Sequence, residues 1–229
     1  MHMTGATLDE VWPLVRDHHY SRRMPSATRH TFAWRESGGL FGDTGAIMAA
    51  CLFGNPVNRS WCQESLELQR LVRLPQFDRP LSEFVAWCLR WLKANTNTPF
   101  VISYADEGQG HHGGIYQALG FTYIGHRQAT DYPDSYRLPD GTVKHRRQVG
   151  RELGSNAPHI VMQKKPNWEP VANTNKHIYI KPLRQRKNAV IRRIKKIDND
   201  SRFRWLVGTT PKPDHAARPE DAPVPTDVS

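Results

Sequence analysis

Apolar residues first recur at helical spacing between Thr7 and His18, where Val11, Leu14 and Val15 stand three and four apart. Thr7 is placed to cap that helix, and Asp9 and Glu10 suit the positive end of its dipole. Pro13, past the first turn, works against it, and Ser21-Arg22-Arg23-Met24-Pro25 ends it. His30–Arg35 and Ala46–Asn55 then read as strands on either side of a Gly38-Gly39 and Gly42-Asp43 turn, with Pro56 stopping the second. Leu66–Leu74 alternates in part up to Pro75, which predicts another strand. From Pro80 to Lys93, the residues Leu81, Phe84, Val85, Cys88, Leu89 and Leu92 return to helical spacing behind a proline suited to a first turn. Pro99–Ala105 is a continuous apolar run of the kind a buried strand carries, His112–Leu119 predicts a helix closed by Gly120, and Phe121–Gly125 a further strand. The pattern therefore predicts an α/β body over residues 1–165.

Composition changes beyond that point. Lys176–Arg204 holds eleven Lys and Arg against Asp198 and Asp200, so residues 166–207 read as a basic extension. Within it Val190, Ile191, Ile194 and Ile197 form a narrow apolar stripe, which would dock a helix and turn Lys187, Arg192, Arg193, Lys195 and Lys196 outward as nucleic-acid contacts. Residues 208–229 alternate prolines with acids and cannot bury enough to fold. The formal net charge of +10 favours a polyanionic partner. The chain lacks the roughly 18 unbroken apolar residues of a membrane span, its start is acidic where a signal peptide would be basic, and its three cysteines make no disulfide framework. A soluble protein of the cytoplasm is expected.

Two segments could carry chemistry. Ser103–Phe121 runs from the buried strand through a glycine-rich loop into a short helix and holds Asp106, His111, His112 and Tyr116, a set able to bind a first-row metal or to exchange protons. The same residues could equally cap a helix, face solvent or pack in the core. Asp17-His18-His19-Tyr20-Ser21-Arg22-Arg23 follows the first helix, where cations also complement the negative end of its dipole. A functional reading requires His19 and Tyr20 to meet Asp106 in space.

The strand Leu66–Leu74, the helix Pro80–Lys93, the strand Pro99–Ala105 and a helix ending Ile115-Tyr-Gln-Ala-Leu-Gly-Phe121 resemble the second half of a GNAT acyltransferase. More narrowly, His19-Tyr20-Ser21, Glu67-Leu-Gln-Arg-Leu-Val-Arg73 and Ser103-Tyr-Ala-Asp106 with Gly-x-Ile-Tyr-Gln-Ala resemble the Mom family of phage adenine-modification proteins over about residues 8–165. That resemblance implies a GNAT-like α/β fold with a mixed, mainly antiparallel central sheet flanked by helices. It implies an enzyme that converts adenine N6 in double-stranded DNA to a carbamoylmethyl (glycinamide) derivative and so protects phage DNA from host restriction. By the same resemblance His19, Tyr20 and Asp106 would hold iron, Tyr116 would be a further ligand or a catalytic phenol beside Asp106 and Tyr20 as catalytic residues, and Arg70 and Ser82 would meet the acyl donor. Arg22 and Arg23 join the expected nucleic-acid contacts. An ordinary GNAT grips the CoA pyrophosphate with a glycine-rich loop at a helix N-terminus. Here the corresponding Leu74-Pro-Gln-Phe-Asp-Arg-Pro80 has no glycine and adds a carboxylate. Two donors stay open, glycyl-tRNA, which would make tRNA a second partner, and acetyl-CoA with iron chemistry assembling the acetamide carbon. N6 is paired in the major groove, so the base would have to leave the stack, with Tyr20, Trp34, Phe53 and Tyr104 as stacking candidates. The competing classes are a non-catalytic DNA-binding protein on the same scaffold and an ordinary N-acetyltransferase.

Overall fold

The computed structural model describes residues 1–37, 45–61, 65–198 and 201–207. The turn expected at Gly38–Asp43 and the tail expected from residue 208 lie outside the described residues. In chain order the elements are β1 (His2–Gly5), α1 (Leu8–His18), β2 (Thr28–Arg35), β3 (Ile47–Gly54), β4 (Ser65–Arg73), α2 (Leu81–Asn95), β5 (Phe100–Asp106), α3 (Gly114–Ala118) and β6 (Thr122–Arg127). There follow β7 (Ser135–Arg137), β8 (Val143–His145), α4 (Arg146–Leu153), α5 (Pro158–Lys164), β9 (Glu169–Val171), β10 (Lys176–Pro182), α6 (Lys187–Ile197) and β11 (Phe203–Trp205).

Eight strands form one sheet in the order β1-β2-β3-β4-β5-β10-β6-β11. Every neighbouring pair is antiparallel except β4 and β5, which pair in parallel only over Ser65–Glu67 and Phe100–Ile102. Both strands run on past that point, so a gap opens between them. β4 also carries a bulge: Leu52 faces Arg70 and Phe53 faces Leu68, leaving Gln69 as the extra residue. Since strand side chains alternate, one inserted residue re-aims everything after it, and Glu67 and Arg70 come to share a face.

Helices cover both faces. α1 starts in a capping box between Thr7 and Glu10 and lays Val11, Leu14 and Val15 on Ala33, Ala50, Leu52 and Val72. α2 buries Phe84, Val85, Cys88, Leu89 and Leu92 on the opposite face, among Phe32, Phe53 and Leu66. α6 returns to the first face, where Val190, Ile191 and Ile194 pack on Phe100, Ile102, Ile178 and Ile180.

The boundary expected at residue 165 does not separate a body from an arm. β10 lies between β5 and β6, registered from Lys176 opposite Asp106 to Pro182 opposite Phe100, with Ile178, Tyr179 and Ile180 buried. The segment 166–207 thus supplies two strands of the eight-stranded sheet, one of the small sheet and a face-covering helix. The apolar stripe expected on that helix is the face it buries, and Lys187, Arg192, Arg193, Lys195 and Lys196 are exposed. Between β6 and β10 the chain leaves the sheet and builds a small module, a sheet of order β8-β7-β9 with α4 and α5 around Tyr136, Val149, Val161 and Trp168.

Candidate active site

A cavity of about 610 Å³ opens on the face shared by α1 and α6. Its floor comes from β4, β5 and β10 through Glu67, Tyr104, Asp106 and Lys176, and its walls include Tyr20 and Trp61. The indole Nε1 of Trp61 is buried without a hydrogen-bond partner among the described residues.

The end of α1 sets Tyr20 in place. His19 leaves the helix in extended conformation, and a turn closes as the Arg22 N–H donates to the His19 carbonyl at 2.8 Å, with Arg22 in the left-handed region at φ 45°. The His19 ring lies 4.3 Å from that of Tyr20, and Tyr20 lies 5.8 Å from His111 on the glycine-rich loop. Tyr20 and Asp106 line the same cavity, whereas His19 is not among its lining residues. Burial first, then Arg70 and His111, push the His19 imidazole down to about 4, so it is neutral at pH 7. Its Nδ1 accepts from the Ser21 N–H at 3.1 Å, which assigns the ring proton to Nε2.

Asp106 ends β5 and caps the turn that follows. Its Oδ1 accepts from the Gly108 N–H at 3.0 Å and from Thr174 Oγ1 at 2.6 Å, while Oδ2 is ion-paired with Lys176 Nζ. Gly113 is obligatory in the loop beyond: its φ is 82°, and a Cβ there would stand 2.4 Å from the Tyr179 ring. Tyr179 in turn donates to the His112 carbonyl at 2.7 Å and fixes the loop.

Glu67 is not among the residues that sequence reasoning singles out, although a carboxylate between two leucines of a buried strand is a visible signal. It is 7% exposed, and its Oε2 accepts from the Val57 N–H at 2.8 Å. Burial pushes its carboxyl up to about 7, against the opposing pull of the Val57 N–H and Arg70. Arg70 is held by two carbonyls, Nε donating to Arg23 at 3.1 Å and Nη1 to Gln69 at 2.6 Å. Packing around the Tyr20 phenol raises its pKa, and Asp106 and Glu67 act in the same sense while Arg70 opposes them.

Other expected residues fall elsewhere. Tyr116 lies on the α2 side of the sheet, its ring 5.4 Å from those of Phe121 and Tyr179, and burial pushes its phenol up to about 12. It remains within electrostatic reach of Tyr20 and Glu67. Ser82 stands in the first turn of α2 and does not line the cavity. Trp34 and Phe53, expected as stacking surfaces, are buried in the α2-side core, whereas Tyr20 and Tyr104 line the cavity.

The iron expected on His19, Tyr20 and Asp106 does not fit these residues. Both Asp106 oxygens are engaged, one of them by an ammonium, and the His19 ring presents a hydrogen-bonded Nδ1 and a protonated Nε2. Among the described residues no group of three or more His, Cys, Asp or Glu could hold a metal ion. The loop before α2 has no glycine, its Phe77 is 1% exposed and packs edge-on against Trp34 at 4.9 Å, and α2 begins at Leu81 behind Pro80, which has no N–H to offer an anion.

The sheet order, the parallel β4–β5 pair with its gap, the bulge and the cavity beside it define a GNAT-like α/β fold. The Mom protein family model matches residues 4–199, and the chain belongs to that family. Solved structures are similar to the chain at low identity. The ribosomal-protein-S18-alanine N-acetyltransferase from Escherichia coli is 10% identical with TM-score 0.47, covering 81% of this chain and 95% of its own. For yncA from Salmonella typhimurium, solved with its cofactor acetyl-CoA, the values are 8%, 0.48, 81% and 96%. The aminoglycoside 6'-N-acetyltransferase from Enterococcus faecium gives 11%, 0.45, 81% and 99%. No curated protein matches the chain in sequence. No helix among the described residues is long and apolar enough to cross a membrane.

Proposed function

We propose that this enzyme converts the exocyclic N6 of adenine in DNA to a carbamoylmethyl derivative, using a glycyl ester of tRNA as donor. Family membership supplies the substrate class. The observation that carries the chemistry is Glu67, a buried carboxyl held near 7 in a cavity with aromatic walls. The adenine amine is conjugated with its ring and must lose a proton as it attacks, and a base that titrates near the working pH is suited to take it.

In the first step N6 attacks the glycyl carbonyl, the ester C–O bond breaks, and Glu67 takes the N6 proton and passes it to the ribose oxygen as that oxygen leaves. Arg70 polarises the carbonyl. Tyr116, kept protonated by burial, donates from the other side of the β4–β5 gap. In the second step the free glycyl amine attacks C6 through a five-membered ring, the C6–N6 bond breaks, and the original N6 becomes the carboxamide nitrogen. The product carries NH-CH2-CO-NH2 with no net oxidation. Asp106, fixed by Thr174 and Lys176, orients the loop and the base edge. The closed loop at Phe77 supports a donor that needs no pyrophosphate cradle there.

Mass spectrometry of nucleosides from plasmid DNA of expressing cells tests the reading: carbamoylmethyl-deoxyadenosine is expected. Acetylated or unmodified deoxyadenosine overturns it. Adenine labelled with 15N at N6 should deliver its label to the carboxamide, and label that stays on C6 rejects the rearrangement.

A further inference from the structure

The module between β6 and β10 is tied down beside the cavity. The Gln128 N–H donates to the Arg202 carbonyl and the Ala129 N–H to Asn175 Oδ1, both at 3.0 Å, while Asn175 Nδ2 donates to Glu107 at 2.9 Å. Thr174, the last residue but one before β10, holds Asp106 itself. The module edge facing the site is the end of β8 and the first turn of α4, where His145, Arg146 and Arg147 line the cavity. From across the mouth, Arg23 Nη2 donates to the Val143 carbonyl at 3.2 Å.

Charge there is unbalanced. Arg146 is placed by Asp134 at 3.4 Å and by the Tyr132 ring at 5.4 Å. The guanidinium of Arg147 is exposed and makes no ion pair or hydrogen bond among the described residues. Burial, and then Arg147, Arg146 and Arg23, lower the His145 pKa against the opposing effect of Asp134, so three guanidiniums crowd one neutral imidazole. A cationic mouth above a floor of carboxylates and aromatic rings matches a ligand with an anionic linker and a flat, uncharged head.

We propose that the 128–175 module is a phosphodiester jaw, in which Arg147, with Arg23 and Arg146 beside it, holds a backbone phosphate flanking the base taken into the cavity. This rests on the reading of nucleic acid as substrate. It assigns specific strand-holding to the cavity mouth and leaves the outward cations of α6 with sequence-tolerant attraction.

The test uses the full-length protein, a duplex with one adenine opposite an abasic site, and the same duplex with each phosphate flanking that adenine replaced in turn by an uncharged methylphosphonate. Binding is read by fluorescence anisotropy across a salt series. For the parent, one of the two replacements should weaken binding several-fold. Arg147→Gln should weaken binding to the charged duplex by a similar factor, flatten log K against log salt by ~0.9 and become insensitive to that replacement. Arg147→Lys should restore the slope. A parent that binds while Arg147→Gln matches it in affinity and slope overturns the jaw alone. A parent without salt-dependent binding to the duplex overturns both the jaw and the nucleic-acid reading.

Discussion

On the α2 side of the sheet, Phe32, Phe53, Phe84 and Leu92 are almost wholly covered, and the loop leading into the helix is stoppered by Phe77 against Trp34. On the other side two helices divide the work, α1 over β3 and β4 and α6 over β5 and β10, and the space between them holds Glu67, Tyr104, Asp106 and Lys176. β4 contributes to both. Leu66 and Leu68 point into the α2 core while Glu67 points into the cavity, and the bulge at Gln69 brings Arg70 to the cavity side as well. The difference shows where this version of the GNAT-like scaffold places its polar groups. It closes the loop before α2 with a buried phenyl ring and keeps a desolvated carboxyl beside the β4–β5 gap.

The largest expected effect comes from removing that carboxyl. Glu67→Gln keeps the shape and an acceptor for the Val57 N–H but cannot take a proton, so adenine modification should fall by about 10²–10⁴-fold. Modified deoxyadenosine per unit time, measured by mass spectrometry, reads this directly. Activity within a few-fold of the parent removes Glu67 from the mechanism. Asp106→Ala should also abolish modification, with DNA affinity retained.

Phe77→Ala probes the opposite side. Deleting a fully buried phenyl ring costs about 3–5 kcal/mol, read as a shifted denaturation midpoint. If the loop were a disguised anion site the same substitution would change donor affinity more than stability, and that result would contradict the closed-loop account.

pH separates the cavity from the core again. Glu67 rises from 4.5 to about 7 on folding, so between those values the folded chain holds a proton that the unfolded chain has released, and stability falls as pH rises. His19 drops from 6.5 to about 4, so there the unfolded chain holds the extra proton, and stability rises with pH. The two largely cancel in the parent. Glu67→Gln should therefore gain on the order of 3 kcal/mol at pH 8, nothing at pH 4, and show a stability that climbs with pH through the His19 window. Equal stabilisation at both pH values would mean Glu67 is not held near 7.

α1 and α2 are legible because helical spacing defines the face each buries, and β5 because its continuous apolar run suits a strand buried on both faces. β10 was not. His177-Ile178-Tyr179-Ile180 between Lys176 and Lys181 looks like part of a charge run, and only the pairing of β5 and β6 on either side makes it a core strand. The β7–β9 module, made of three-residue strands, carries no periodicity to read. Tyr20 and Asp106 stand out in the sequence through their motifs, and both line the cavity. Their surroundings were not legible, because the ammonium that occupies Asp106 comes from seventy residues away, and Glu67 is desolvated only once the chain has folded around it and brought up the Val57 N–H.

The smallest effect concerns charge outside the cavity. α6 turns Lys187, Arg192, Arg193, Lys195 and Lys196 to solvent, and Lys195 lies over the Trp205 ring at 5.1 Å, so part of its charge is already engaged. These cations project from the solvent face of a helix whose apolar stripe is used in packing. Neutralising Arg192, Arg193, Lys195 and Lys196 together should weaken binding to every duplex alike and flatten log K against log salt by up to ~0.9 for each phosphate released. Lys195→Gln alone should change least. The choice of target base should survive, and a duplex with an extrahelical adenine should lose no more affinity than a fully paired one. Arg147→Gln should show the reverse preference. If the α6 variant matches the parent in both affinity and slope, these residues only solvate the helix, and strand attraction belongs to the cavity mouth alone.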